Sequence, residues 1–451
     1  MQDLTLLIAT ETANRELDFQ LMLTALSRPG RRFYVGRRDA ILHVAQQLDG
    51  GVFLGKAFDP AFPGSDLTFY RTLQSRGFGC VHLDEEGGVY IGEEADWRKI
   101  LNRRLDPKVL DPRDLLCTWG DFQAQHYQKE WGHDRVRVTG HPRFDLYQPE
   151  YREYFREEAE RIQAKHGQDF VLVNTNMSVA NHLAGLGMVF SGKGGYDTGG
   201  NEGLLKRMDV WSYSSLSLTS MARAVLRAAL EFPRRKFIVR PHPSERAETY
   251  REIFRGVPSV EVVHSGPVAP WLLAASVVLQ DGCTTAVEAS LMGRDVLTYR
   301  PVCDPRFERV LPGMFGRECR NPEEVVEALK NQTSNASTER VTDLGRSLLN
   351  NLTEPAFPKL LEAIDEVGSQ SASGTRAATE WSLRKLRWTE RAKDTVRPFS
   401  SRRAFMNRYS RNKFPGFTSE DIASRMRRIE RVTGRRLKWE IHATTLLSVR
   451  S

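Results

Sequence analysis

A chain of 451 residues is too long for one ordinary core and points to two domains with additions, and its 40% apolar share is ordinary for a globular protein. No apolar run is long enough to span a bilayer, and the opening MQDLTLLIATET lacks the basic region and the long apolar stretch of a secretion signal. Five cysteines (Cys80, Cys117, Cys283, Cys303, Cys319), odd in number and without a CxxC pair, speak for a reducing, cytoplasmic setting and against a zinc knuckle. The net charge of +8 is unevenly spread: Trp381–Ser451 holds 19 Lys and Arg against 6 Asp and Glu, while the rest of the chain holds 46 against 51. The basic character belongs to the tail.

In chain order, LTLLIAT (4–10) reads as a strand and Glu11–Ser27 has a helical apolar period closed by Pro29-Gly30. Short strands and helices then alternate: strand 32–35, helix 40–47, strand 52–54, helix 66–76 with Gly77 as its cap, and strand 79–83. That last strand runs into the acidic turn Asp84-Glu-Glu-Gly-Gly88. Strand 114–118, helix 121–131 and strand 135–139 follow, and GHPRFD (140–145) closes the half, with Arg143 and Asp145 expected as a hinge or docking pair. The alternation predicts a doubly wound parallel sheet.

A charged helix over 150–165 bridges to a second α/β unit whose first strand, 169–174, ends in Asn174-Thr-Asn176. Residues 185–203 are Gly-rich and read as a mobile loop; a helix is expected from about 216 to 232. Phe237-Ile-Val-Arg240 is a buried strand halted by Pro241 and Pro243, and Val277-Val-Leu-Gln280 is another, turning at Asp281-Gly282 into a helix opened by Thr284 and Thr285. The helix 322–330 completes this unit near residue 365. The expected division is 1–149, 150–367, and a linker with a basic, aromatic extension over 368–451. In the extension, Thr418 and Gly434 cap a helix and 435–447 alternates like a strand.

Ligands of parallel sheets sit beyond the carboxyl ends of the strands. His242, Thr284 and Thr285 leave such ends and are the candidate phosphate ligands, with Arg240, Gly282, Asn174 and Asn176 beside them. Glu288, one turn along the helix, suits a ribose hydroxyl or is a surface carboxylate; the asparagines, Asn181 included, also suit turns that bond their own backbone. In the acidic turn, like-charge repulsion would keep one carboxyl at a raised pKa and fit to act as a base. The bland alternative is a solvated acidic turn. No His/Cys cluster and no Asp-x-Asp pair stand in the sequence, so no metal is expected.

An acidic pair before glycine, His-Pro in the second half, then paired hydroxyls before a helix resemble the CMP-sugar glycosyltransferases of GT-B fold, the bacterial sialyltransferases and Kdo transferases. TNMSVANH, TGHPRFDLY and QDGCTTAVEASLMGRDVLTYRP resemble more closely the bacterial surface carbohydrate (surface polysaccharide) biosynthesis proteins, over about residues 1–365. The resemblance implies two Rossmann-like domains facing an interdomain cleft, Glu85 as base on an acceptor hydroxyl with Glu86 as its rival, and His242, Thr284 and Thr285 on the CMP phosphate. It implies no metal and no cofactor beyond the CMP-sugar donor, and leaves inversion or retention open; for retention, Asp84 or Asp281 could be the nucleophile. The acceptor would be a surface glycan or lipid-linked precursor, and the tail over 381–451 would meet anionic headgroups on the inner face of the cell membrane. No nucleic acid is expected, since no RNA-recognition motif is present. The rivals are a CDP-alditol phosphotransferase of the teichoic-acid kind and a catalytically silent scaffold of the same fold.

Overall fold

The computed structural model describes residues 4–56, 67–105, 109–191, 199–332, 342–371, 378–396 and 413–451, the side chains of 103 and 391–396 excepted. The chain forms two compact units, Met1–Gly88 with Lys99–Leu146 and Arg346–Ser451, and Val89–Arg98 with Tyr147–Gly345.

In the first unit β1 (Thr5–Ala9), β2 (Arg32–Gly36), β3 (Gly51–Leu54), β4 (Phe78–Leu83), β5 (Leu115–Thr118) and β6 (Val136–Val138) lie parallel, in the order β2-β1-β3-β4-β5-β6. β1, β3, β4 and β5 are buried almost throughout, which is why they read as unbroken apolar runs with no polar alternation. The chain steps from β1 to β2 on one side and then returns to β3 on the other. The direction of winding therefore reverses between β1 and β3, and a crevice opens there beyond the strand ends.

In the second unit β7 (Val171–Asn174), β8 (Phe237–Arg240), β9 (Val260–Val262), β10 (Val277–Gln280), β11 (Asp295–Tyr299) and β12 (Arg317–Cys319) are also all parallel, in the order β9-β8-β7-β10-β11-β12. Counted from its own first strand this is the dinucleotide-fold order 3-2-1-4-5-6, with the reversal between β7 and β10. Val173, Val239 and Leu279 from the sheet and Met221, Val225 and Ala228 from the Gly200–Glu231 helix share one core. That helix is 32 residues long, starting well before the expected position near 216. Its buried residues begin only at Ser214, and although Leu204, Met208 and Trp211 stand at helical spacing, the glycines at 199, 200 and 203 make its start read as loop. Of the expected mobile loop, 192–198 lies outside the described residues, while Leu186–Phe190 is a short helix.

The expected division at 149 and 367 is corrected: residues 346–451 belong to the first unit. β13 (Lys438–Ala443) and β14 (Leu446–Arg450) form an antiparallel hairpin, and β14 pairs antiparallel with β2, Leu447 opposite Val35. The single strand expected over 435–447 is thus two. The Ala356–Gln370 helix packs Val367 so tightly on β4 that a Cβ at Gly79 would lie 2.4 Å from it. The Ser419–Thr433 helix has the expected caps: the Thr418 hydroxyl accepts from the Asp421 N–H, and Gly434 is left-handed at φ 68°. Its Arg425 is buried against Asp18. Arg435 donates to the carbonyls of Ala25 and Ser27. These cations of the tail hold the fold together. Among the described residues no helix is long and apolar enough to cross a membrane.

Candidate functional site

In the first unit the acidic turn leaves β4 beside the reversal between β1 and β3. Ala9, Glu16, Leu54, Gly55, Leu83 and Glu85 line a small, partly open concavity there. Glu85 turns inward, its side chain 20% exposed, whereas Glu86 is 63% exposed and reaches Arg15 and Arg104 only at 3.7 and 3.9 Å. The Glu85 carboxylate lies 3.2 Å from His141 Nε2 and 3.7 Å from Arg15. His141 is fully buried, its ring edge-on to Phe19 and tilted against Trp119. Its Nδ1 accepts from the Arg143 N–H at 3.2 Å, which puts the ring proton on Nε2, facing Glu85.

The backbone of His141 is clamped by Asn351, whose side chain accepts from the His141 N–H and donates to its carbonyl. Gly140 has φ 76°, and a Cβ there would lie 2.5 Å from Asn351 Oδ1, so glycine is required. Asp145, expected as a hinge or docking partner of Arg143, instead accepts from the N–H groups of Ala356 and Phe357 and caps the Ala356–Gln370 helix.

Burial pushes the Glu85 carboxyl up, but His141, Arg15 and Arg143 outweigh it and hold it at about 2. The expectation of a raised carboxyl in this turn is therefore corrected, because two cations and an imidazole face the group that repulsion from its neighbours was expected to dominate. The raised carboxyl is Glu16, pushed up to about 8 by burial and by the charge of Glu85, even though it accepts from the Glu11 and Thr12 N–H groups. Neither Glu16 nor His141 was singled out from the sequence. GHPRFD was visible as a motif, yet nothing local ties position 141 to position 85.

In the second unit the strand ends bring Asn174, Arg240 and Gln280 into one row, Asn174 in register with both of the others. Asn174 is 4% exposed and its Nδ2 has no hydrogen-bond partner among the described residues. Asn176 follows it, half-buried. Arg240 is turned away from ligand duty: it donates to the carbonyls of Ser265 and Gly266, stacks over Trp271, and burial lowers its pKa to about 10. Asn181 is likewise engaged, with the Arg246 carbonyl and the Thr249 hydroxyl. His242 is half-buried, and its Nδ1 accepts from the Ser244 N–H, so its proton too sits on Nε2.

Gly282 adopts φ 60° at the turn, as the Asp-Gly pair predicted, and the Cys283 N–H is held by Gln280 Oε1. Thr284 is the N-cap of the Thr285–Leu291 helix, without a side-chain capping bond, and Thr285 is buried. Glu288 is 4% exposed, which removes the surface-carboxylate alternative. Asp281 is raised to about 6 by burial, against the opposing pull of Arg309. Glu245, missed from the sequence, is wholly buried; it accepts from Thr175, Tyr250 and the Met177 N–H and is pushed up to about 7 by burial. It anchors the Asn174–Met177 loop.

Folding also assembles what the sequence hid. Cys80 and His82, on one face of β4, approach Asp114 with their ligand atoms within 4.8 Å of one another. The statement that the chain has no His/Cys cluster is corrected by this trio. Asp114 already accepts from the Tyr70 hydroxyl and the N–H groups of Cys80 and Asp111. Burial raises the Cys80 thiol well above its usual range. The trio is a hydrogen-bonded core network.

Fold and strand ends together define a protein of two parallel α/β units, each with polar residues beyond its point of reversal. No family model and no curated protein matches the chain. Among solved structures it is similar to the UDP-GlcNAc 2-epimerase of Methanocaldococcus jannaschii in complex with UDP-GlcNAc and UDP, at 11% identity over 78% of this chain and 98% of that one, TM-score 0.45. The UDP-GlcNAc 2-epimerase of Neisseria meningitidis bound to UDP-GlcNAc matches at 13% identity over 81% and 100%, TM-score 0.46. The wall teichoic acid polymerase TagF with CDPG matches at 10% over 81% and 89%, TM-score 0.47. Superpositions this loose say nothing of the reaction.

Proposed function

We propose that the chain is a glycosyltransferase of GT-B type that moves a nonulosonate-type sugar, Kdo or sialic-like, from its CMP donor to a hydroxyl of a surface glycan or lipid-linked precursor. The observation that carries this reading is the register of Asn174 with Gln280. It sets the loops Asn174–Asn176 and Gly282–Thr285 side by side at the reversal of a dinucleotide-fold sheet, with His242 after the neighbouring strand.

In this reading the second unit holds the cytidylate: the Thr284 and Thr285 hydroxyls and His242 Nε2–H bond the departing phosphate, and Glu288 takes a ribose hydroxyl. Charge developing on the phosphate meets fixed donors, which is the larger part of the barrier reduction. In the first unit Glu85 accepts the hydrogen bond of the acceptor hydroxyl and takes its proton as the new C–O bond forms and the bond to CMP breaks. A carboxyl held at about 2 is ionised throughout the working range, and His141 and Arg15 fix its orientation. Glu86, largely exposed, is the weaker candidate for this role.

The exposed Trp381 and Trp388, 72% and 71% open, with Lys385 over the Trp381 ring, support contact of the tail with an anionic membrane surface. Titration of the protein with CMP and CDP tests the donor. Tighter binding of CMP, lost together with turnover in His242→Ala, is expected. Preference for CDP with turnover of CDP-glycerol or CDP-ribitol would replace this reading by alditol phosphate transfer.

A further inference from the structure

We infer that Arg309 and Asn174 complete a phosphate-binding site at the reversal between β7 and β10, with Arg309 as its cation. This rests on the donor reading above and adds to it a residue that no sequence motif singled out.

The placement comes first. Arg309 follows the Asp304–Glu308 turn, and its backbone is pinned by an antiparallel bridge to Ile91, with the next residue's N–H donating to the Tyr90 carbonyl. Its side chain lies over the turn that ends β10: a Cβ on Gly282 would stand 4.0 Å from Arg309 Cβ and 4.0 Å from its Nη1. A side chain in place of glycine would thus begin to cover the guanidinium, and the positive φ of Gly282 already disfavours one.

The cations around this turn divide sharply. Arg300 is paired with Glu308 and Glu318, Arg306 with Asp304, and Arg240 is engaged by two carbonyls. The Arg309 side chain has neither an ion pair nor a hydrogen bond among the described residues. Asp281 is close enough to be stabilised by it, against the burial that raises that carboxyl to about 6, but makes no ion pair with it. The second observation is independent. Asn174 is buried at the end of the adjoining strand, and its Nδ2 has no acceptor among the described residues. A buried amide donor without a partner is costly, and it is explained when a ligand supplies the acceptor. Two donors lacking acceptors, one of them cationic, at one end of β7 and β10 call for an anion with several oxygens. A phosphate monoester or diester provides it, and the guanidinium fork matches two of its oxygens at once.

Equilibrium titration of the intact protein with CMP, cytidine and inorganic pyrophosphate tests this. Arg309→Met should weaken CMP at least ~10-fold and abolish pyrophosphate binding while leaving any cytidine affinity unchanged, and Arg309→Lys should recover part of the loss. A CMP affinity that is intact in Arg309→Met, in a variant with the parent's melting curve, would overturn the assignment while leaving the donor reading in place. Arg309-dependent binding of pyrophosphate without any binding of CMP would keep the anion site and end the donor reading. Absence of binding of all three by the parent protein would overturn both.

Discussion

Glu85 sits among His141, Arg15 and Arg143, and its chemistry follows from them more than from its acidic neighbours in the chain. Glu85→Gln should leave CMP affinity unchanged and cut transfer by about 10²–10⁴, whereas Glu86→Gln should be nearly silent; the reverse pattern would reassign the base. His141 is foremost among the groups that hold Glu85 down, so His141→Ala should raise the pKa of Glu85 and move the acid limb of kcat/KM upward. An acid limb unmoved in that variant would reduce His141 to packing. Glu16 gives a stability signature with a definite sign. Its carboxyl binds a proton in the folded state up to about pH 8 but releases it near 4.5 when unfolded, so folding takes up a proton in that window and stability falls as pH rises through it. Thermal melts of Glu16→Gln should lose this slope, gaining on the parent at pH 8 relative to pH 5. A parallel pH dependence in the two proteins would contradict it. Glu85 was singled out in the sequence, but its partners were not, because residues 16, 85 and 141 meet only through β1, β4 and the loop after β6.

At the scale of elements, the two parallel sheets were legible because buried strands leave continuous apolar runs between Gly- and Pro-marked turns, as in Gly79–Leu83 and Phe237–Arg240. The His242 and Thr284 strand ends were legible for the same reason. The start of the Gly200–Glu231 helix was not, because glycines at 199, 200 and 203 read as loop, nor was the crossing of the Ala356–Gln370 helix to the first sheet. That crossing hangs on Asp145, a buried carboxylate accepting from two helix N–H groups and from the Asn351 amide. Asp145→Ala should therefore cost about 3 kcal/mol, seen as a lower melting temperature with cooperativity retained. A melt within a degree of the parent would show that water replaces the cap without loss.

At the scale of the whole molecule, the basic tail has two parts. Residues 413–451 are structural: they add a hairpin to the edge of β2 and bury Leu446, Leu447 and Val449, with Arg425 against Asp18. Ending the chain at 412 should expose that edge and remove Arg425 from buried Asp18, giving an aggregating or markedly less stable protein. A truncated chain as stable as the parent would contradict the placement of the hairpin. The outward face of the Glu380–Val396 helix is where the proposed membrane contact is tested without unfolding anything. Trp381→Ser with Trp388→Ser should reduce sedimentation with anionic vesicles, in a manner that added salt weakens in the parent. Equal sedimentation of parent and variant would dismiss that face. Incubation with CMP-Kdo, CMP-sialate, CDP-glycerol and CDP-ribitol, with mass detection of every product, tests nucleotide-sugar transfer most directly. The account predicts CMP release coupled to a sugar-sized mass gain on an acceptor glycan, both lost in Glu85→Gln. Release of CMP from no donor, or mass gain only from a CDP-alditol, would contradict it.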